Sequence, residues 1–234
     1  MTSATYIFAY GSLISQVSRS HTGESGPAFA CRISGFQRDW CYIPDDSINR
    51  TWQCVGCTPA SSPSTTVNGC ITEVPPAELP SFDKREYGYK RVSLPLEQLE
   101  FVEPKDKDLH QLLEQQHATV YIYVVTERLN QKIPLIQSYI DVIMDGCLNV
   151  SEEYAIEFVK TTGNWDNAVW LNDRLYVSHG RLTQPLNRPP RNGKCLTQVD
   201  WFACSDLHDI FQSNRNAMVL AGNGRRWGRI VGNV

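Results

Sequence analysis

Two short segments of this sequence carry residue types that can do chemistry together. The first is Tyr10-Gly11-Ser12-Leu13, which follows an apolar run at residues 6–9. A glycine turn at the end of a buried strand exposes consecutive backbone N–H groups, which suit a carboxylate or a developing oxyanion. The second is Glu86, which lies between an apolar stretch and Gly88. An anion cradle and one placed carboxylate are enough for acid–base chemistry on an amino-acid-like substrate.

Two interpretations of Glu86 remain open from the residues alone. Burial against Tyr87 and Tyr89 would raise the pKa of its carboxyl and favour proton transfer near neutral pH. Composition instead favours a solvated carboxylate paired with neighbouring bases, since charged clusters are usually exposed. Asp83 is the rival carboxylate, about one helical turn away. The bases that would oppose a raised pKa are Lys84, Arg85, Lys90 and Arg91.

Composition predicts an ordinary soluble protein. The 234 residues are 41% hydrophobic and 20% charged, which suits one large domain, or one domain with an extension. The formal charge of −3 gives no reason to expect nucleic acid or an anionic membrane as a partner. No apolar run approaches the ~18 residues of a membrane-spanning helix, and the N-terminus lacks signal-peptide features. We therefore expect a cytoplasmic location.

The cysteines predict neither a disulfide framework nor a metal site. Cys54 and Cys57 have the spacing of a redox or zinc motif, but no second pair or spaced histidines complete a tetrahedral site. Buried, reduced cysteines that act as small hydrophobes are therefore predicted. A thiol-based redox or zinc module remains the weaker alternative.

The order of elements predicts an α+β fold. Short strands are predicted at residues 6–9, 28–36, 39–43, 52–58, 70–74, 91–96 and 118–125. The second and third are predicted to pair around Ser34-Gly35, and Asn68-Gly69 is predicted to form a hairpin turn. Several short strands around few helices predict a small, closed or nearly closed mixed β-barrel flanked by helices.

Helical periodicity marks three further segments. Residues 76–85 fit a short helix. Residues 136–148 give one apolar face, and Ser151 is a predicted N-cap for a second helix with its own apolar face. Prolines beyond Trp165 predict an irregular segment, with one short helix at 206–212. The predicted organisation is a domain at residues 1–165 and an extension at 166–234 packed on or over it.

The two chemical segments together resemble the gamma-glutamylcyclotransferase superfamily. The resemblance is carried by Ile7-Phe8-Ala9-Tyr10-Gly11-Ser12-Leu13-Ile14 and by Phe82-Asp83-Lys84-Arg85-Glu86-Tyr87-Gly88-Tyr89. These segments are especially similar to the glutathione-specific ChaC-type branch. Pro134 and Tyr139, followed by Asp145-Gly146, resemble the plain cyclotransferase branch instead.

The resemblance implies a cofactor-independent enzyme. Such an enzyme releases 5-oxoproline and a free amine or amino acid from a gamma-glutamyl compound, by attack of the α-amine on the γ-carbonyl. Glu86 would be the base and then the acid, Tyr139 would hydrogen-bond the substrate, and the glutamyl portion would be bound by Tyr10, Gly11, Ser12 and Leu13. Glutathione, other gamma-glutamyl dipeptides and gamma-glutamyl amines all remain candidate substrates. The alternative is a non-catalytic member of the same fold that binds a small metabolite or a protein.

Overall fold

The computed structural model describes residues 3–42, 52–103, 106–127, 133–165 and 170–171. The helices are α1 (Gln16–Ser20), α2 (Leu79–Arg85), α3 (Lys107–Gln115), α4 (Gln137–Leu148) and α5 (Glu152–Thr161). The strands are β1 (Thr5–Ala9), β2 (Ala28–Ser34), β3 (Phe36–Tyr42), β4 (Cys54–Pro59), β5 (Thr66–Glu73), β6 (Tyr89–Leu94), β7 (Leu99–Phe101), β8 (Thr119–Val125), β9 (Leu135–Ile136), β10 (Thr162–Gly163) and β11 (Trp170–Leu171). Within these ranges, no helix has the length and apolar character needed to cross a bilayer.

One large mixed sheet organises the fold. Its strand order is β10-β3-β4-β8-β1-β5-β2-β7, and β6 pairs with β8 outside this path. The end strands β7 and β10 are short, and neither has a second hydrogen-bonded neighbour among the described strands. The sheet is therefore open. The α+β class is confirmed, whereas a closed barrel is not formed by these pairings.

The strand β8 changes partners along one of its edges. Parallel β1 pairs with residues 119–122 of β8 and ends at Ala9, whereas β8 continues to Val125. At Val124 the neighbour on this edge is Cys57 of β4, since β6 occupies the opposite edge of β8 from residue 120 to residue 125. The strands β1 and β4 thus follow one another along the same edge. The chain after Ala9 must leave the sheet where β4 enters it, and a gap opens there.

Two helices supply much of the remaining core as predicted. On α4 the residues Ile140, Ile143 and Met144 are buried, and α5 buries Phe158 and Val159. The predicted N-cap is confirmed, because the Tyr154 N–H donates to Ser151 Oγ at 3.1 Å.

Two of the predicted turns and pairings are wrong. The strands β2 and β3 do not pair with each other; β2 pairs with β5 and β7, and β3 pairs with β4 and β10. Asn68-Gly69 lies inside β5, which is a central strand between β1 and β2. The Asn68 side chain needs no turn because it is satisfied inside the fold, where it donates to the Tyr154 carbonyl and accepts from Arg38.

The cysteines are placed as small buried residues. The six in the described ranges are all buried, and none of them forms a disulfide within those ranges: Cys31, Cys41, Cys54, Cys57, Cys70 and Cys147. Cys54 and Cys57 lie three positions apart on one strand, so their side chains point to opposite faces. This arrangement disfavours a shared metal or a disulfide between them. No group of three potential metal ligands occurs in the described part of the chain.

Two residues of the predicted extension are described. Trp170 and Leu171 form β11, which pairs in parallel with Leu135 and Ile136 of β9. The helix predicted at 206–212 and the remainder of the extension lie outside the described residues, as do Cys195 and Cys204.

Gly69 provides a test of the packing between β1 and β5. A Cβ at this position would lie 2.4 Å from the Ala9 carbonyl oxygen and 2.5 Å from Phe8 Cζ. We expect Gly69→Ala to lower the free energy of unfolding by about 1–3 kcal/mol, because neither the backbone nor the buried ring can move away. Gly26→Ala is the control, since its Cβ would meet the Glu73 Cβ at an ordinary 3.4 Å. Equal denaturation midpoints for the two variants would contradict this packing.

Candidate active site

A pocket lies in the gap between the end of β1 and β4. It is lined by Phe8, Ala9, Tyr10, Gly11, Ser12, Leu13, Val55, Glu86, Tyr89, Tyr123 and Tyr139. All six residues that the sequence indicated for a site are therefore brought together. A more open groove beside α3, which includes Phe29 and Leu112, contains none of them.

The turn after β1 binds two of its own carbonyl groups internally. It is a short 3₁₀ turn, Ser12–Ile14, that leads into α1. The Ile14 N–H donates to the Gly11 carbonyl at 2.9 Å, and the Ser15 N–H donates to the Ser12 carbonyl at 3.2 Å.

Two buried arginines bind the remaining carbonyls of the turn. Arg38 Nη1 donates to the Tyr10 carbonyl at 3.3 Å. Arg19 Nη1 donates to the Leu13 and Ile14 carbonyls, each at 2.7 Å. Both guanidinium groups come from behind the turn, and neither lines the pocket. Every carbonyl from residue 10 to residue 14 thus has a donor.

Within the described residues, the N–H groups of the same turn are not bound in this way. Those of Gly11, Ser12 and Leu13 donate to no acceptor among the described residues. Because C=O and N–H point in opposite directions across a trans peptide, the Gly11 N–H is directed away from Arg38. Successive outward N–H groups form an anion-binding concavity. The binding of an anion by this turn stays a prediction.

Gly11 lets the backbone reach the pocket surface. A Cβ at this position would lie 2.7 Å from Val55 Cγ2 and 3.4 Å from the Tyr139 hydroxyl oxygen. A side chain there would therefore occupy the space beside the N–H donors, whereas glycine leaves that space open.

The helix α2 directs Glu86 inward and Asp83 outward. Glu86 follows α2 directly, and its N–H donates to the carbonyl of the fully buried Phe82 at 2.9 Å. A spacing of four residues puts Glu86 on the same face as Phe82. The Glu86 side chain is 17% exposed, whereas that of Asp83 is 45% exposed. Asp83 pairs with Arg91 at 3.0 Å and accepts from the Tyr123 hydroxyl at 2.8 Å.

Burial dominates the electrostatics of Glu86. Removal from water raises the pKa of its carboxyl, and Arg85, whose Nε lies 3.5 Å from Glu86 Oε1, opposes this shift without cancelling it. Of the other bases that the sequence set against it, Lys84 and Lys90 are exposed, and Arg91 pairs with Asp83. The predicted pairing of Glu86 with a neighbouring base is therefore confirmed for Arg85, whereas its interpretation as a solvated surface residue is wrong.

Two tyrosine hydroxyls in the wall are already bound to backbone. Tyr10 donates to the Tyr123 carbonyl at 2.6 Å, and Tyr89 donates to the Val55 carbonyl at 2.9 Å. Burial raises the pKa of both phenols, and the nearby Glu86 raises them further. Both therefore remain neutral and hold the strand ends β1, β4 and β8 around the pocket.

Tyr139 is both a core residue and a pocket residue. Its ring packs against Trp40 and Trp52, with ring centroids 6.0 and 5.0 Å away. Its hydroxyl reaches the pocket and shares a hydrogen bond with Ser12. Burial raises the pKa of this phenol, so it is a neutral hydrogen-bonding group.

Five lining residues lie outside the set that the sequence predicted for the site: Phe8, Ala9, Val55, Tyr89 and Tyr123. Phe8 and Ala9 belong to the strand that leads into the predicted turn. Tyr89 had a signal, because it follows Glu86 by three residues in the same segment. No sequence pattern distinguished Tyr123 from Tyr121, because the two residues lie on the same face of β8. Val55 enters through the pairing of β4 with β8, which no local pattern reveals.

The fold is similar to those of solved structures. One, a gamma-glutamyl cyclotransferase, is 17% identical with a TM-score of 0.50 over 69% of this chain and 90% of that chain. An uncharacterized protein from Homo sapiens, loc79017, is 18% identical with a TM-score of 0.50 over 70% of this chain and 91% of that chain. No protein-family model and no curated protein matches the sequence. At this identity the similarity establishes the fold, and the chain has a gamma-glutamyl cyclotransferase-like fold.

The raised pKa of Glu86 has a consequence for stability. Between the ordinary pKa of Glu and the raised one, the native state binds more protons than the unfolded chain, so the free energy of unfolding falls as pH rises through that window. Glu86→Gln cannot lose a proton, and we expect it to be more stable than the wild type above the window. Chemical denaturation across a pH series measures this, with the exposed Glu97→Gln as control. Parallel pH curves for wild type and Glu86→Gln would contradict the burial of an ionisable group here.

Proposed function

We propose that the protein is a gamma-glutamylcyclotransferase-type enzyme. It releases 5-oxoproline and a free amine or amino acid from a gamma-glutamyl compound. One observation carries the proposal: the partly buried Glu86 lines the same pocket as residues 11–13, whose N–H groups have no acceptor among the described residues. The similarity of the fold to that of a gamma-glutamyl cyclotransferase supports it.

The reaction is an intramolecular ring closure. The α-amine of the glutamyl group attacks its own γ-carbonyl carbon, a C–N bond forms, and the γ-carbonyl oxygen becomes an oxyanion. When that oxyanion collapses, the bond to the leaving amine breaks and a five-membered lactam remains. Both reacting groups belong to one molecule, so the pocket must mainly enforce the folded conformer. Such orientation can supply roughly 7–11 kcal/mol of the barrier, and the reaction itself requires no metal or nucleotide.

Two proton transfers remain for the protein, and the proposal assigns both to Glu86. The attacking nitrogen must first lose a proton, and the departing amine must later gain one. A raised pKa brings the carboxyl closer to the pKa of the α-ammonium from which it must take a proton. Glu86 accepts the first proton as a base and then returns it to the leaving nitrogen as an acid.

The cradle and Tyr139 hold the glutamyl portion. The N–H groups of Gly11, Ser12 and Leu13 bind either its α-carboxylate or its γ-oxygen, which are the two groups that carry or develop negative charge. The neutral Tyr139 hydroxyl donates a further hydrogen bond from the α4 side. Ser12 acts through its backbone and as a hydrogen-bonding hydroxyl, since its Oγ already accepts from Arg85 at 3.2 Å.

Replacement of the base tests this mechanism directly. We expect Glu86→Gln to lower the rate of 5-oxoproline release by ~10²–10⁴-fold, because the amide keeps the shape but cannot transfer a proton. Purified wild type and variant are incubated with glutathione, gamma-glutamyl dipeptides and gamma-glutamyl amines, and 5-oxoproline is quantified. Glu97→Gln, an exposed carboxylate remote from the pocket, is the matched control.

Three outcomes of this assay discriminate among the hypotheses. Equal turnover of wild type and Glu86→Gln would reject Glu86 as the base. Loss of turnover in Asp83→Asn alone would transfer the role to the rival carboxylate. No 5-oxoproline from wild type with any compound, together with binding of one of them, would favour a non-catalytic binder of the same fold.

The pH dependence gives an independent check. A base must be deprotonated to act, so kcat/KM should fall as pH decreases through the pKa of Glu86 in the free enzyme. Because burial raises that pKa, the acidic limb should lie at higher pH than the ordinary pKa of a glutamate. Initial rates between pH 4 and pH 9 locate it. A limb at or below the ordinary glutamate pKa would show that the titrating group is not a buried Glu86.

A further inference from the structure

Arg85 makes contacts on every side of its guanidinium group. Its Nη1 donates to the Ser18 carbonyl at 2.7 Å and to Thr22 Oγ1 at 2.5 Å. Its Nη2 donates to Ser18 Oγ at 2.7 Å and to Ser12 Oγ at 3.2 Å. Its Nε lies 3.5 Å from Glu86 Oε1. A guanidinium has five N–H donors in a fixed planar fork, and here an acceptor faces each of them.

These contacts join parts of the site that are distant in sequence. Ser12 belongs to the cradle turn, Ser18 belongs to α1, and Glu86 follows α2. The helix α1 is itself fixed to the turn, because Arg19 on this helix binds the Leu13 and Ile14 carbonyls. The Glu86 carboxylate and the N–H donors of the turn are therefore both linked to α1, the former through Arg85 and the latter through Arg19.

We propose that Arg85 is a positioning residue whose planar fork sets the distance between the Glu86 carboxylate and the cradle of residues 10–13. This inference rests on the proposed function, since it says which residue sets the distance between the proposed base and the proposed cradle. The bidentate contact with Ser18 fixes the plane of the fork, and that plane fixes where Nε meets Glu86. A lysine ammonium is a point charge on a flexible stem, so it keeps the charge but cannot reproduce this geometry.

Arg85 is also the charged group that faces Glu86 in the described part of the chain. The other titratable groups around the carboxyl are phenols: Tyr10 at the end of β1, Tyr89 on β6 and Tyr139 on α4. All three remain neutral at physiological pH because their pKa values are raised by burial. Removal of the Arg85 charge should therefore shift the titration of Glu86 to higher pH, whereas Arg85→Lys should leave it near that of the wild type.

Two measurements on the full chain test the inference. The first follows the side-chain carboxyl resonance of Glu86 through a pH titration of ¹³C-glutamate-labelled protein, with the signal assigned by its absence in Glu86→Gln. The second measures kcat and KM for 5-oxoproline release. The variants are Arg85→Gln and Arg85→Lys, and Arg32→Lys is the control. Arg32 also forms a bidentate pair, with Glu157 at 2.6 and 2.7 Å, but it does not line the pocket.

We expect the titration midpoint of Glu86 to rise in Arg85→Gln and to remain unchanged in Arg32→Lys. We expect Arg85→Lys to lose roughly tenfold to a hundredfold in kcat while its KM changes less, because a small displacement of a catalytic group has that effect. An unchanged midpoint in Arg85→Gln, or a wild-type kcat in Arg85→Lys, would overturn the inference. If Arg85→Gln does not fold, Ser18→Ala removes one acceptor of the same fork, and a wild-type kcat in that variant overturns the inference equally.

The outcomes also separate this inference from the proposed function. A wild type that releases no 5-oxoproline from any compound rejects the proposed function. The titration then decides on Arg85 alone: a raised midpoint in Arg85→Gln supports the contact with Glu86, and an unchanged midpoint rejects it.

Discussion

The pocket depends on one constraint: β1 and β4 pair one after the other with the same edge of β8. An edge of a strand has room for one hydrogen-bonded neighbour at each position. Since β4 pairs at Val124 and β6 occupies the far edge, the chain that leaves Ala9 must turn out of the sheet. The turn therefore faces a cavity walled by Val55 of β4 and Tyr123 of β8. Sheet topology, rather than any single side chain, creates the space.

The pocket owes its chemical character to two differences: the protein binds the carbonyl groups of the turn, and burial removes the Glu86 carboxyl from water. The carbonyls of residues 10–14 are bound by the protein, so the turn presents donors and almost no acceptors. Glu86 presents acceptors from the other side and is held in a site that disfavours its charge. A donor-rich surface opposite a proton-accepting group suits a substrate that carries both an anion and an ammonium. An α-amino acid head group has both.

The sequence predicted which residues share a pocket better than it predicted the sheet. The turn after β1, the helix α2 and the apolar faces of α4 and α5 are local patterns, and local patterns set the positions of Tyr10, Glu86 and Tyr139. Strand partners depend on contacts between distant residues, which is why the β2–β3 pairing and the hairpin at Asn68 were wrong. The raised pKa of Glu86 also could not be predicted from the sequence. It depends on Arg91 pairing with Asp83 and on Arg85 turning toward Ser18, and neither choice is encoded in the spacing of charges.

The environment of Arg38 bears on how the pocket responds to ionic strength. Its hydrogen-bond acceptors are the carbonyls of Tyr10, Asn68 and Phe158, the Asn68 amide oxygen and two threonine hydroxyls, and none is a carboxylate. Such dipoles replace hydration without cancelling the net charge. Mobile ions screen exposed charges over about 8 Å at physiological concentration, but they screen a buried charge much less. The proposed binding of an anion by the turn should therefore persist in concentrated electrolyte that would abolish attraction by surface residues.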